Sequence, residues 1–285
     1  MDSIPFTKMH GLGNSHIYID GWRHPLSEND LRRLAATASC PHTGIGSDGL
    51  IAMGPSSKAD LQMRIFNKDG SEAKNCGNGL RCVAKYVYEH GRIASKTMTI
   101  ETLGGIVKAT LINLQGPRAI VSVNMGQPCL ERQTIPMQGS PTERVVAEPF
   151  EIDGHSLLLT AVSMGNPHAV FFVPSIKDSL HRTLGPKIEK DSRFSEGVNI
   201  EFIAQESSTS FHLRVWERGA GATQACGTGA CAAAVASVLN GLTQQGQEIT
   251  MHLEGGDLQI QWANNGDVHM TGSATTIAIG SLFLQ

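Results

Sequence analysis

Two cysteines stand in matching frames. LQMRIFNKDGSEAKNCGNG over residues 61–79 and FHLRVWERGAGATQACGTG over 211–229 place Cys76 and Cys226 at an offset of 150, each followed by Gly-x-Gly. The thiolate is the reactive form of cysteine, and its abundance depends on local charge. A Cys-Gly-x-Gly run that opens an apolar helical pattern puts the sulfur at a helix start, where unpaired N–H groups and the helix dipole favour negative charge. The spacing therefore predicts a stabilised thiolate at Cys76 and at Cys226. It also predicts a carboxylate seat on the N–H groups of Gly77, Asn78, Gly227 and Thr228. Glycine at 77, 79, 227 and 229 lets a ligand approach the backbone closely. Two such sulfurs on opposite sides of one α-carbon would invert it: one thiolate removes the α-proton while the opposite thiol delivers another. The helix starts would stabilise the charge that develops on the carboxylate, and no cofactor is needed.

The remaining cysteines, at 40, 82, 129 and 231, are expected to be small buried hydrophobes. Zinc is a rival for the pairs 76/82 and 226/231, but their gaps of five and four residues are wide, and Cys82 and Cys231 fall inside the helix patterns, so no metal is expected. The 285-residue chain carries a net charge of −3 with basic residues scattered among 26 acids, which excludes a cationic stripe for nucleic acid. No apolar run approaches the ~20 residues that span a bilayer. MDSIPFTKMHG lacks a charged start followed by a long apolar core, so a cytoplasmic protein with free thiols is expected.

The elements that position the cysteines come in two sets. Gly13-Asn14-Ser15-His16 is echoed by Gly165-Asn166-Pro167-His168, Gly104-Gly105 by Gly255-Gly256, and Val123-Asn124-Met125-Gly126 loosely by His269-Met270-Thr271-Gly272. Matches in order at near-constant offset indicate duplication. The domains are read as 1–127 and 128–275, with 276–285 adding a strand to either. Leu61, Met63 and Ile65 alternate with polar residues, as do Phe211, Leu213 and Val215, which predicts a strand before each cysteine loop. Leu80, Val83, Ala84 and Val87 trace one apolar face of a helix stopped at Gly91. Ala230 to Leu239 is apolar all round, so strands must wrap it.

NKDGSEAKNCGNGLRCVAKYV and WERGAGATQACGTGACAAAVA resemble the two signature segments of the diaminopimelate epimerase family, and TKMHGLGNSHIYID and AVSMGNPHAV are similar to it as well. The resemblance implies an α/β fold of two pseudo-symmetric domains, each a strongly curved, mostly antiparallel sheet around a central hydrophobic helix, with the active site in the cleft between them. It implies epimerisation of LL- to meso-diaminopimelate without pyridoxal phosphate or metal, and a homodimer. Residue by residue, Asn14 and Asn166 resemble substrate contacts. Asn67, Asn199 and Arg218 resemble the groups that hold the distal amino-acid end. His168 and Glu217 resemble partners that tune the cysteines, Glu217 also contacting substrate. Ala222 and Gly49 depart from the pattern, where many members carry glutamate and glutamine. The bland alternatives are a structural imidazole at His16 or His168, a strand-end ion pair for Glu217 with Arg218, and a turn-shaping Asp48. Two other functions share the scaffold: racemisation of another amino acid such as histidine, and non-catalytic capture of amino acids.

Overall fold

The computed structural model describes residues 3–74 and 76–283. The chain divides into two compact units, Met1–Asn124 with Thr271–Gln285, and Met125–Met270.

In the first unit, β1 (Ser3–Gly11) and β2 (Asn14–Asp20) form an antiparallel pair. Leu12 and Gly13 turn the chain between them, both at positive φ. Helix α1 (Glu28–Ala38) is capped by Ser27, which accepts from the Asp30 amide, and buries Leu31, Leu34, Ala35 and Ala38 against Ile17, Ile19, Leu50 and Phe66. Strand β3 (Gly49–Gly54) runs parallel to β2, β4 (Leu61–Asn67) antiparallel to β3, and the short β5 (Glu72–Ala73) antiparallel to β4. Helix α2 (Gly77–Glu89) follows, then β6 (Thr97–Thr102) parallel to β4, and the antiparallel β7 (Gly105–Gln115) and β8 (Arg118–Asn124).

The second unit opens with β9 (Glu148–Ile152) and β10 (His155–Ser163), then β11 (Pro167–Phe172), antiparallel to β10. Two short helices, α3 (Leu180–Thr183) and α4 (Gly185–Glu189), precede β12 (Asn199–Ser207), which is parallel to β11. Strands β13 (Ser210–Glu217) and β14 (Gly221–Thr223) pair antiparallel before helix α5 (Gly227–Leu239). Strand β15 (Glu248–Leu253) is parallel to β13, and β16 (Gly256–Trp262) antiparallel to β15. From β1 through β7 the pairings run antiparallel, parallel, antiparallel, antiparallel, parallel, antiparallel, and from β10 through β16 the same order recurs. The last strand, β17 (Val268–Phe283), pairs with β1 and β8 of the first unit.

Each long central helix is buried for a reason visible in its residues. In α5, Ala230 to Ala236 bury fully or nearly so, as an all-apolar, small-residue helix requires. In α2 the one-sided expectation fails, because every residue from Gly77 to Val87 is buried, including Arg81 and Lys85. Both cations are tolerated because they are hydrogen-bonded. The Arg81 guanidinium donates to the Ser273 carbonyl and to Asn78 Oδ1, and Lys85 donates to Glu89 and Thr276 Oγ1. Cys82 and Cys231 are buried as expected, whereas Cys129 is exposed and Cys40 partly so. Cys129 lies in the link before β9, bridging the Ser163 backbone rather than entering a core. No helix among the described residues is long and apolar enough to cross a membrane.

Candidate active site

In the first unit, strand β4 leads through β5 into the start of α2, with Cys76 as the N-cap residue in extended conformation. Its sulfur accepts from the Gly79 amide at 3.3 Å, the usual duty of a capping oxygen. The close fit depends on glycine: a Cβ at Gly79 would lie 2.6 Å from Ile51 Cδ1. The turn between β1 and β2 brings Asn14 beside the sulfur, with Cys76 Sγ 3.6 Å from Asn14 Oδ1. Asp48, just before β3, fixes Asn14 by accepting from its Nδ2 at 3.1 Å and from the Ser15 amide at 2.8 Å, and it pairs with Lys68. Asp48 is therefore more than a turn residue. His16 is buried, its Nδ1 has no partner among the described residues, and burial holds its pKa down at about 4, so the ring is neutral.

In the second unit, β13 and β14 lead into α5, capped by Cys226, whose sulfur accepts from the Gly229 amide at 3.3 Å. Thr228 Oγ1 lies 3.5 Å from the sulfur and accepts from Asn166 Nδ2 at 3.2 Å. Asn166 Oδ1 faces His168 Nε2 at 3.0 Å, and His168 Nδ1 lies 2.7 Å from Glu201 Oε1. His168 and Glu201 are both fully buried. Glu217 reaches Thr223 Oγ1 and the Cys226 thiol. The predicted thiolate is not what this environment favours at Cys226. Burial foremost, then the charges of Glu217 and Glu201, push the Cys226 thiol well up, against the hydrogen bonds from Thr228 and Gly229. Desolvation outweighs the helix start because an amide N–H and a partial dipole charge cannot replace bulk water around a sulfur anion. Burial likewise raises the Glu217 carboxyl, opposed by its bonds to Thr223 and Cys226.

The other expected positions fall as follows. Gly77, Asn78 and Gly227 are buried at the two helix starts and Thr228 is half-buried. The first N–H groups of each helix have no acceptor within it. The Asn78 side-chain Oδ1 accepts from the Arg81 guanidinium at 2.6 Å. Asn67 ends β4 with its amide donating to Ser71 Oγ at 3.0 Å and its side chain exposed. Asn199 is buried with both ends used, donating to the Pro167 carbonyl at 2.8 Å and accepting from the Arg218 amide at 2.9 Å. Arg218 donates to the Glu196 carbonyl and makes no pair with Glu217. Ala222 lies in β14 opposite Trp216. At Gly49 a Cβ would fall 2.2 Å from the Phe66 carbonyl oxygen, so a side chain there needs a different backbone path. Among the described residues no cluster of three or more His, Cys, Asp or Glu is disposed to hold a metal.

Sequence reasoning missed Glu201. Its signal was a single acid in the apolar run VNIEFIA, on a strand hydrogen-bonded on both sides, where a charge must find a partner.

Comparison with known proteins gives a consistent result. The sequence profile described as Diaminopimelate epimerase matches residues 6–131 and 160–277. The chain is 58% identical over 285 residues to a Geobacillus kaustophilus protein named diaminopimelate epimerase, covering 100% of this chain and 98% of the other. It is 53% identical over 284 residues to the Bacillus subtilis protein of the same name, covering 100% of each. Among solved structures it is similar to a PhzF-family phenazine biosynthesis protein of Bacillus anthracis (TM-score 0.71, 15% identity, 100% of each chain). A hydroxyproline epimerase of Agrobacterium vitis is also similar (TM-score 0.68, 15% identity, 99% of this chain and 91% of the other). At such identity these two speak for the fold alone.

Proposed function

The chain belongs to the diaminopimelate epimerase family, and from that membership we propose a two-thiol mechanism in which Cys76 and Cys226 act on opposite faces of one α-carbon. The enzyme is an isomerase that epimerises LL-diaminopimelate to the meso form in lysine and cell-wall precursor synthesis. The observation that carries the mechanism is that each unit sets one cysteine as the N-cap of its central helix, with the sulfur bonded to the amide three residues on.

Inversion at carbon needs a base on one face and an acid on the other, and both must return to their starting forms. Cys226, held as a thiol by burial and by its two carboxylate neighbours, serves as proton donor in one direction. Cys76 then takes the α-proton, and in the reverse direction the roles exchange. The substrate α-carboxylate is read onto the N–H groups of Gly77, Asn78, Gly227 and Thr228, where developing charge is stabilised as the proton leaves. Asn14 and Asn166 are assigned as substrate contacts beside the sulfurs. Asn67 and Arg218 are assigned to the distal amino-acid end, with Asn199 holding the Arg218 backbone. His168 and Glu217 are assigned to tune the cysteines, and Glu217 to contact the substrate as well. The scheme uses neither metal nor pyridoxal phosphate and is placed in the cytoplasm.

The test is direct. Cys76→Ser and Cys226→Ser each lower epimerisation of LL-diaminopimelate by roughly 10²–10⁴-fold, the usual weight of a positioned acid or base. Each retains hydrogen exchange at the α-carbon from one face. Full turnover in either variant, or preferential racemisation of L-histidine by wild type, would sink the assignment.

A homodimer is proposed as well. Ile277, Ile279 and Phe283 of β17 are 52%, 75% and 59% exposed, large apolar side chains of the kind partners cover. Sedimentation velocity at micromolar concentration should show twice the chain mass.

A further inference from the structure

The two central helices open alike, but only the first carries a cation near its start. Arg81 of α2 is fully buried, and its counterpart in α5, at the offset of the two cysteines, is the equally buried Cys231. The first unit makes room for the larger head. A Cβ on Gly11 would lie 2.7 Å from Arg81 Nη2 and 3.2 Å from Asn78 Cβ. In the frame that matches Gly13 with Gly165, the residue at the place of Gly11 is Ser163, which does carry a Cβ. Glycine with arginine in one unit, and serine with cysteine in the other, fill the same space in two ways. A hydrophobic residue would fill it without the cost of desolvating a charge.

Long helical side chains lean towards the start of their helix, and here the lean carries the guanidinium back to the first turn. Its Nη2 donates to Asn78 Oδ1 at 2.6 Å, and its Nε to the Ser273 carbonyl of β17 at 3.1 Å. Gly11 lies opposite Asn14 in the β1–β2 pair, and Asn14 Oδ1 is 3.6 Å from Cys76 Sγ. Both of these acceptors of Arg81 are neutral, and a guanidinium stays charged at any working pH. Tyr18 and Cys82 feel its charge, but burial raises both groups into their neutral forms, so neither cancels it. Lys85, the other buried cation of α2, sits a turn further on and pairs with the Glu89 carboxylate.

We propose that Arg81 is a positioning residue for the substrate carboxylate, its buried charge reinforcing the N–H groups of Gly77 and Asn78 as an anion seat. It acts through Asn78 and across the helix turn rather than by contact, adding to the positive potential that the helix start already offers. The carboxylate gains negative charge as the α-proton leaves, so the same cation stabilises the transition state more than the bound substrate. The inference rests on the proposed epimerase site, with a carboxylate at the start of α2.

The test compares Arg81→Gln with Lys85→Met, which removes the other buried cation of the same helix. Calorimetry with an equilibrated mixture of LL- and meso-diaminopimelate gives the Kd without heat from turnover, and steady-state rates give kcat. Arg81→Gln is expected to raise the Kd by about tenfold, the scale of one buried charge acting across a helix turn, and to lower kcat as well. Arg81→Lys, which keeps the charge, recovers most of the lost affinity. Lys85→Met lowers the melting temperature and leaves the Kd at its wild-type value. A wild-type Kd in Arg81→Gln, an equal rise in Lys85→Met, or no recovery in Arg81→Lys overturns the proposal. Wild-type protein that fails to bind diaminopimelate, or full turnover in Cys76→Ser or Cys226→Ser, sinks the epimerase site instead, and this proposal with it. Should Arg81→Gln not fold, ¹⁵N-arginine spectra of the wild-type enzyme decide. The Arg81 Nε resonance, assigned by its loss in Arg81→Lys, is expected to shift along the diaminopimelate binding curve, and a resonance indifferent to saturating ligand overturns the proposal.

Discussion

Around Cys226 the neighbouring groups work against one another, and Glu217 shows the balance most clearly. Burial raises its carboxyl above the ordinary 4.5 in the folded protein. Between 4.5 and that raised value the folded state binds more protons than the unfolded chain, so stability falls as pH rises through this window. Below 4.5 the two states are protonated alike and the contribution is fully present. Glu217→Gln mimics the protonated form. It should match wild type in denaturant midpoint near pH 4 and exceed it at pH 8, while turnover drops about tenfold or more through loss of a contact to the thiol. A wild-type enzyme more stable than the variant at pH 8 would contradict this account. Cys76, Cys226 and their glycine frames were legible in the sequence because the duplicated motif repeats them. Glu201 was not, because nothing repeats it: its counterpart is Ile51, and a single acid in a strand shows its purpose only when its neighbours are known.

At the level of elements, periodicity located the strands before each cysteine loop and the helices after them. Strands β4 and β13 bury alternate residues as the pattern implies. Helix α2 differed because Arg81 and Lys85 interrupt its apolar pattern yet are buried through hydrogen bonds to residues 273 and 276, which lie 192 and 191 residues further along the chain. Helix α5 tolerates no such side chains. Its alanines face neighbours on all sides, and Ala233 is wholly buried. Ala233→Leu is therefore expected to destabilise the enzyme by ~1–3 kcal/mol from overpacking. Ala36→Leu on the exposed side of α1 should stay within about 0.5 kcal/mol of wild type. Thermal melts of the two variants, compared with wild type, test the difference; equal melting temperatures would mean that α5 sits in a looser cage than its burial indicates.

Across the whole molecule the chain leaves its first unit at Asn124 and returns to it at Thr271. Strand β17 then pairs with β1 from Ser3 opposite Phe283 to His10 opposite Thr275. Gly280 allows this close pairing, since a Cβ there would meet the Phe6 ring at 2.8 Å. The first unit thus lacks a strand until the last residues are available, and its closing contact spans nearly the entire sequence, a slow step on loop-closure grounds. Truncation after Met270 should leave β1 and β8 without their shared neighbour. Limited proteolysis should then degrade residues 1–124 while 125–270 persists as a resistant fragment. Equal resistance of both halves would refute it.

Local sequence was enough to specify the two cysteine frames, the helix starts they cap and the strands that lead to them, because capping and periodicity act over a few residues and were written twice. Which unit receives the final strand, how buried cations on α2 are satisfied, and why Cys226 is held as a thiol were settled only by tertiary structure. Each depends on desolvation or on partners distant in the chain, and no short-range pattern encodes how much water a folded environment removes.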